Sequence, residues 1–234
     1  MSSVAGALTE KQKAAVYSEE KSILLIAGPG SGKTTVLTAK VIHYINDKNV
    51  PEQRIHAFTF TNKATNEMER RISKALDREH NVNISNFHSY AYQKLKEYLG
   101  MDLEVVNDKE KKGIIENLIL ERKYSININD TVDEISRIKN MMPLKETKLH
   151  LKFQIIDIYY AYEDYLKERN KIDFDGMNLE FLRLLKEDKY FRELMKSELD
   201  YVLVDEAQDI NWVQYEILLI ITEDHNNLFM VGDP

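Results

Sequence analysis

Two textures of apolar spacing divide the chain. Short apolar runs bounded by glycine or polar breaks occupy its first and last parts: Ser22-Ile23-Leu24-Leu25-Ile26, Ile55-His56-Ala57-Phe58-Thr59-Phe60, Val82 to Ile84, Tyr201-Val202-Leu203-Val204 and Leu228-Phe229-Met230-Val231. Runs of this length and β-branched content, bounded by turn residues, read as strands. Helical spacing lies between them, over Leu8 to Tyr17, from Thr35 onward, about Ala64 to Leu76, Ser89 to about Leu99 and Trp212 to Ile221. In the first of these, Thr9 is the expected N-cap and Gln12 faces the loop that follows. From about Met101 to Leu199 glycine nearly vanishes, and Leu151, Ile155, Ile158, Tyr162 and Tyr165 recur at the interval of one helix face. Asn127-Ile128-Asn129-Asp130 and Met142-Pro143 read as breaks between helices. The pattern predicts an α/β domain with a parallel sheet, built from residues 1–90 and 176–234 and interrupted by an all-helical subdomain over 91–175.

Chemistry concentrates at the strand ends. Between the first strand and the next helix stand Ala27-Gly28-Pro29-Gly30-Ser31-Gly32-Lys33-Thr34, followed by Thr35. Glycines let the backbone bend around an anion with its N–H groups inward, and the helix start adds a partial positive charge, so the loop is suited to phosphate. Lys33 can reach β- and γ-phosphates, and the Thr34 hydroxyl can ligate Mg²⁺. Ala27 stands where the first glycine of such loops usually does. Asp205 and Glu206 close the strand at 201–204. Asp205 would hold Mg²⁺ through water, and Glu206 would orient and deprotonate an attacking water. Together the two motifs predict a site that hydrolyses a nucleoside triphosphate.

Other clusters read as packing or surface. Tyr159-Tyr160-Ala161-Tyr162 and Trp212 are expected to pack, and Lys109 to Lys112 with Glu110 to form a solvated helix face rather than a basic patch. Of Phe58 and Phe60, alternating along a strand, one is expected in the core. His88 follows a strand and could cap the next helix.

Composition narrows the classes. With 234 residues, 43% of them hydrophobic and 30% charged, the chain is expected to be globular and cytoplasmic, with no membrane partner. It has no cysteine, which excludes disulfides and cysteine-ligated zinc. A net charge of −7 means that any polyanion must be held in a local groove, against the average sign of the surface.

The order of motifs resembles one family. The loop at Ala27–Thr34, Phe58-Thr59-Phe60-Thr61-Asn62-Lys63-Ala64 with Asn66-Glu67-Met68, Phe87-His88-Ser89, and Asp205-Glu206-Ala207-Gln208-Asp209 occur in the order seen in the UvrD/Rep/PcrA group of superfamily 1 DNA helicases. Leu8-Thr9-Glu10-Lys11-Gln12 looks like its N-terminal glutamine motif, Asp173-Phe174-Asp175 like a signature near the end of its insertion, and Gly232-Asp233 like the start of its third motif. The resemblance implies a P-loop, RecA-like fold and an ATP- and Mg²⁺-dependent motor. Gln12 would read the adenine edge, with Ala27 to Thr35 around the nucleotide. Phe60 would stack on a base of single-stranded DNA, with Thr61, Asn62, Phe87 and His88 beside it. Asn86 and Thr35 depart from the residues most relatives carry there, Thr and Arg.

The resemblance also implies the larger setting. Relatives continue with a glutamine that senses the γ-phosphate, DNA-stacking aromatics, and a second motor domain whose arginines reach the γ-phosphate. The chain is accordingly expected to be an N-terminal fragment, monomeric, that binds ATP–Mg²⁺ weakly, hydrolyses it slowly and does not unwind DNA unaided. The parent would translocate 3′-to-5′ on single-stranded DNA, or on a duplex with a single-stranded tail, in repair or replication. Two other readings share these motifs: the motor of a nuclease-coupled AddA/RecB-type recombination helicase, and a nucleotide-gated single-strand binding module without useful turnover. RNA in place of DNA is a further possibility.

Overall fold

The computed structural model describes residues 8–100, 103–141 and 153–234, so Leu151 and the Met142-Pro143 break lie outside it. Among the described residues seven strands occur: β1 (Ser22–Ile26), β2 (Ile55–Thr59), β3 (Asn83–Asn86), β4 (Glu104–Val106), β5 (Lys171–Asp173), β6 (Tyr201–Val204) and β7 (Leu228–Gly232). Among the described residues the chain forms two compact units, one within Met1–Ser89, Asp188–Ile210 and Leu218–Pro234, the other within Tyr90–Glu187 and Asn211–Ile217.

The first unit holds a five-stranded sheet in the order β1-β7-β6-β2-β3, every neighbouring pair parallel. Parallel strands need crossover connections, and the helices α1 (Glu10–Val16), α2 (Lys33–Asn46), α3 (Asn62–Leu76) and α9 (Lys189–Ser197) belong to this unit. Val36, Leu37 and Val41 of α2 join Ile55, Ala57, Leu203, Phe229 and Val231 of the strands in one buried core. All five residues of β2 are buried, as expected of a central parallel strand. The parallel arrangement has one functional consequence: the carboxyl ends of β1, β2, β3, β6 and β7 share a single edge. Every motif singled out in the sequence, apart from the one at Gln12 and the acids at 173 and 175, follows one of those ends.

The second unit contains α5 (Asp108–Glu121), α6 (Ile128–Asn140), α7 (Phe153–Glu168) and α8 (Phe174–Glu187). The helix α4 (Phe87–Leu99) starts in the first unit and continues into the second, and α10 (Trp212–Ile221) runs from the second into the first. The inserted region is not wholly helical, which corrects that detail of the expectation: β4 and β5 pair in parallel through Glu104↔Lys171, Val105↔Ile172 and Val106↔Asp173. Three-residue strands fall below the length at which periodicity can reveal them. Ile158 and Tyr162 line the core of this unit with Ile115, Ile119 and Ile135, Tyr165 packs against it, and Ile155 is buried on the same helix. Tyr159 is buried, Tyr160 is exposed, and Trp212 is half-buried beside Tyr215.

The solvated-face expectation fails for Lys111. Its amine is buried, 2.8 Å from Asp175 and 3.1 Å from Asp173, while the fully buried Lys139 reaches Asp173 at 2.8 Å. Tyr162 donates to Asp173 (3.2 Å) and Asn140 to Asp175 (2.6 Å). Burial opposes the charge on Asp173, but Lys139 and Lys111 outweigh it and hold the carboxyl below its usual range; Asp175 is lowered in the same way, with Lys111 the main opposing charge. Their stabilising effect is therefore complete above the ordinary aspartate value and is lost as pH falls through the lowered ones. Asp173→Ala removes the carboxylate shared by two buried amines, leaving Lys111 with Asp175 and Lys139 with Glu163, and is expected to cost about 1.5–3 kcal/mol in chemical denaturation. A loss within experimental error would show the network to be dispensable.

No helix among the described residues is long and apolar enough to cross a membrane.

Candidate active site

The loop after β1 bends through Gly30 (φ 73°) and Gly32 (φ 85°), left-handed positions that a side chain would strain. Gly32 is the N-cap of α2 and offers no side-chain cap, so the first N–H groups of that helix remain available to an anion. Lys33 opens the helix. Its largely buried amine pairs with the Asp233 carboxylate and lies 3.9 Å from Glu206 Oε2. The hydrogen bond to Asp233 raises the Lys33 pKa against the effect of desolvation, with Glu206, Asp233 and Asp205 adding to the rise, so the cation is held firmly charged.

Asp205 directly follows β6, and its N–H donates to Phe58 O (2.9 Å), which ties the acidic turn to β2. The carboxyl is buried and receives a hydrogen bond from Thr34. Burial, then the neighbouring Glu206 charge, pushes its pKa up. Glu206 adopts φ 50°, ψ 50°, a left-handed conformation uncommon outside glycine and found at strained functional positions. Its Oε2 accepts from Gln208 Nε2 (3.0 Å), and Gln208 Oε1 accepts from Asp233 N (2.8 Å). A Cβ on Gly232 would sit 2.9 Å from that same Gln208 oxygen and 3.2 Å from the Gln208 backbone nitrogen, so a side chain there would displace the Gln208 amide. Lys33, Thr34, Asp205 and Glu206, up to 173 positions apart in the chain, thus converge at one end of the sheet.

Among the described residues no cluster of three or more His, Cys, Asp or Glu forms a metal cage. The donors present suit Mg²⁺ nonetheless. That ion takes hard oxygen ligands, keeps several waters, and commonly uses one or two protein oxygens beside substrate phosphates. Thr34 and Asp205 supply such a pair.

Gln12 lies against the loop. Its Nε2 donates to Ser31 O (2.8 Å) and its Oε1 accepts from Thr9 N (2.7 Å). Sequence reasoning missed two neighbours. Arg71 of α3 reaches Thr35 Oγ1 at 3.4 Å, and Gln208 bridges the acidic turn to the end of β7. The spacing of Arg71 from Glu67 shows only a helix-surface pair (2.7 Å), so its approach to the loop could not be read from the chain. Gln208 lay inside a motif already singled out, but no pattern assigned it a bond.

The other candidates follow β2 and β3. Phe58 is fully buried and Phe60 is 53% exposed, so the strand splits the two rings between core and surface. Thr61 caps α3 by accepting from Ala64 N (3.1 Å), and Asn62 Oδ1 accepts from Asn86 Nδ2 (2.8 Å). Phe87 departs from expectation. Only 5% exposed, it stacks on Phe58 with centroids 4.3 Å apart, so its ring packs the core and offers no face to a base. His88 is half-buried within the first turn of α4, and Asn86 rather than His88 caps that helix, accepting from Ser89 N at 2.8 Å.

Comparison with known proteins finds relatives along nearly the whole chain. The family model for the UvrD/REP helicase N-terminal domain matches residues 8–234. The "Probable DNA helicase II homolog" of Mycoplasma capricolum subsp. capricolum is 32% identical across 97% of this chain and 34% of its own length. The ATP-dependent DNA helicase Rep of Buchnera aphidicola subsp. Baizongia pistaciae is 30% identical across 96% of the chain and 35% of its own length. The ATP-dependent DNA helicase PcrA of Leuconostoc citreum is 31% identical, across 97% and 32%. The chain therefore spans about a third of the curated relatives it matches. With the match running nearly from end to end, the chain belongs to the UvrD/REP helicase N-terminal domain family.

Proposed function

We propose that this chain is the ATP-binding and hydrolysing part of a DNA helicase motor, and that it grips single-stranded DNA with the loops after β2 and β3. One observation carries the reading: Lys33, Thr34, Asp205 and Glu206 meet at the carboxyl edge of a parallel sheet, beside a helix N-terminus with uncapped N–H groups. Lys33 and the N–H groups of α2 neutralise the triphosphate. Thr34 and Asp205 would hold Mg²⁺, which when bound would offset charge on the phosphates. Glu206 accepts the proton of the attacking water and returns it to solvent after the γ-phosphoryl group has transferred to that water and ADP has departed with its electron pair. Gln208 orients the Glu206 carboxylate through its 3.0 Å hydrogen bond.

On the DNA side, Phe60 presents its ring to solvent beside the polar groups of Thr61, Asn62 and His88. Stacking on an aromatic face tolerates any base, as a motor stepping along arbitrary sequence requires. Few cations line these loops, and the net charge is negative, so stacking and short polar contacts must do more of the binding than counterion release. The test combines fluorescence anisotropy of labelled oligothymidylate with steady-state ATP hydrolysis. The unmodified chain binds the oligonucleotide saturably and hydrolyses ATP slowly with Mg²⁺, and Phe60→Ala weakens the oligonucleotide by about 1–3 kcal/mol. Unchanged affinity in Phe60→Ala would remove the DNA half of the proposal, and failure to bind ATP–Mg²⁺ would remove the rest.

A further inference from the structure

The buried cation at Lys40 has no part in the chemistry above. It lies on α2 seven residues after Lys33, two turns along the same face. Only 1% exposed, its amine donates to Val16 O (2.7 Å) and Ser18 O (3.2 Å), at the end of α1, and sits 5.0 Å from the Tyr44 ring and 5.4 Å from that of Phe229. Burial pulls its pKa down to about 8. Placing an amine between two rings is costly unless acceptors satisfy it, and an apolar side chain would fill the space without that cost. What the amine provides is a directed hold on the last carbonyls of a helix, which have no partner within the helix and carry partial negative charge.

That helix carries Gln12. At seven residues α1 is too short to persist without tertiary support. Gln12 and Val16 lie one turn apart on the same face, so α1 is pinned at one position to Ser31 of the phosphate loop and at the next turn to Lys40. The Gln12 amide is itself held at both ends, Oε1 by Thr9 N and Nε2 by Ser31 O. One amide proton and one carbonyl lone pair remain, which is the donor–acceptor pair that matches the N7 and N6 amino edge of adenine.

We propose that Lys40 is a positioning residue for base recognition: by gripping the end of α1 it fixes the direction in which Gln12 presents its amide to adenine. This rests on the reading of Gln12 as the base contact. The test is calorimetric titration of ATP and of inorganic tripolyphosphate, each with Mg²⁺, into the unmodified chain, Gln12→Ala, Lys40→Met, Lys40→Gln and Lys40→Arg. Lys40→Met weakens ATP about fivefold and leaves tripolyphosphate within about twofold, because only base hydrogen bonds are misdirected. Lys40→Gln, with a shorter and uncharged donor group, falls between, and Lys40→Arg restores the preference for ATP. Gln12→Ala shows the same selective loss, and adding Lys40→Met to it weakens ATP no further.

A normal ATP preference in Lys40→Met and Lys40→Gln, with Gln12→Ala impaired, overturns the proposal alone. So does an equal loss of both ligands in both Lys40 variants, which marks a plain structural role. An unchanged preference in Gln12→Ala overturns the reading of Gln12 and the positioning role together.

Discussion

Glu206→Gln is expected to slow ATP hydrolysis by about 10²- to 10⁴-fold, the usual worth of a positioned general base, while ATP–Mg²⁺ affinity stays within about twofold. The separation follows from the geometry. Glu206 Oε2 stands 3.9 Å from the Lys33 amine and is oriented by Gln208, whereas the groups that would hold magnesium are Thr34 and Asp205. Glutamine keeps the size and the hydrogen-bonding oxygen but cannot take a proton at neutral pH. The measurement is single-turnover hydrolysis alongside equilibrium titration of ATP. Equal loss of binding and turnover would place Glu206 among the binding groups and leave the water without its base. The same titration run against pH has a defined sign. Asp205, raised by burial and then by Glu206, takes up a proton at a higher pH than a free aspartate, and once protonated it is a poor magnesium ligand. Magnesium-dependent affinity is thus present above that raised value and lost below it.

Lys33→Ala is expected to weaken ATP by about ten- to a hundredfold, since a charged hydrogen bond contributes roughly 1.5–3 kcal/mol. The effect has two sources. The variant removes the cation that faces the triphosphate, and it leaves Asp205, Glu206 and Asp233 clustered without the charge that offsets them. An incoming polyanion then meets acids alone. Calorimetry of ATP, with and without Mg²⁺, checks this. Affinity equal to that of the unmodified chain would separate Lys33 from the triphosphate and dissolve the site. In the unmodified chain Lys33 is paired with Asp233, so binding of ATP must exchange that carboxylate for phosphate. Asp233→Asn removes the competitor and provides a control: ATP affinity that holds or rises there, while Lys33→Ala loses it, assigns the loss to the missing cation.

Much of the chemistry was legible before any coordinate. The loop from Ala27 to Thr34 declares itself because glycines, a lysine and a helix start must be adjacent to cradle a phosphate, and adjacency in the chain is visible to a reader. The strand ending in Asp205 and Glu206 is legible for the same reason, and Thr9, the expected N-cap, does cap its helix, in a capping box with Gln12 that the structure adds. Phe87 shows the limit. Its position in a motif pointed to DNA, but the stack on Phe58 at 4.3 Å is a relation between strand and helix that no local pattern encodes. Lys111 was misread for the opposite reason. A lysine in a charged run is normally solvated, and only the approach of Asp173 and Asp175, more than sixty residues later, turns that helix face inward.

Sequence alone pointed to the strands of the five-stranded sheet, to most of the helices and to the groups proposed to react, because hydrophobic period, turn chemistry and phosphate-loop spacing act over a few residues at a time. Tertiary structure decided which of those groups meet. The order β1-β7-β6-β2-β3 places the strand that opens the chain beside the one that closes it, with Ile26 opposite Gly232, and so brings Lys33 to Asp233 and Glu206. Strand order is set by which apolar faces pack best across long crossovers, and no short window of sequence carries that information.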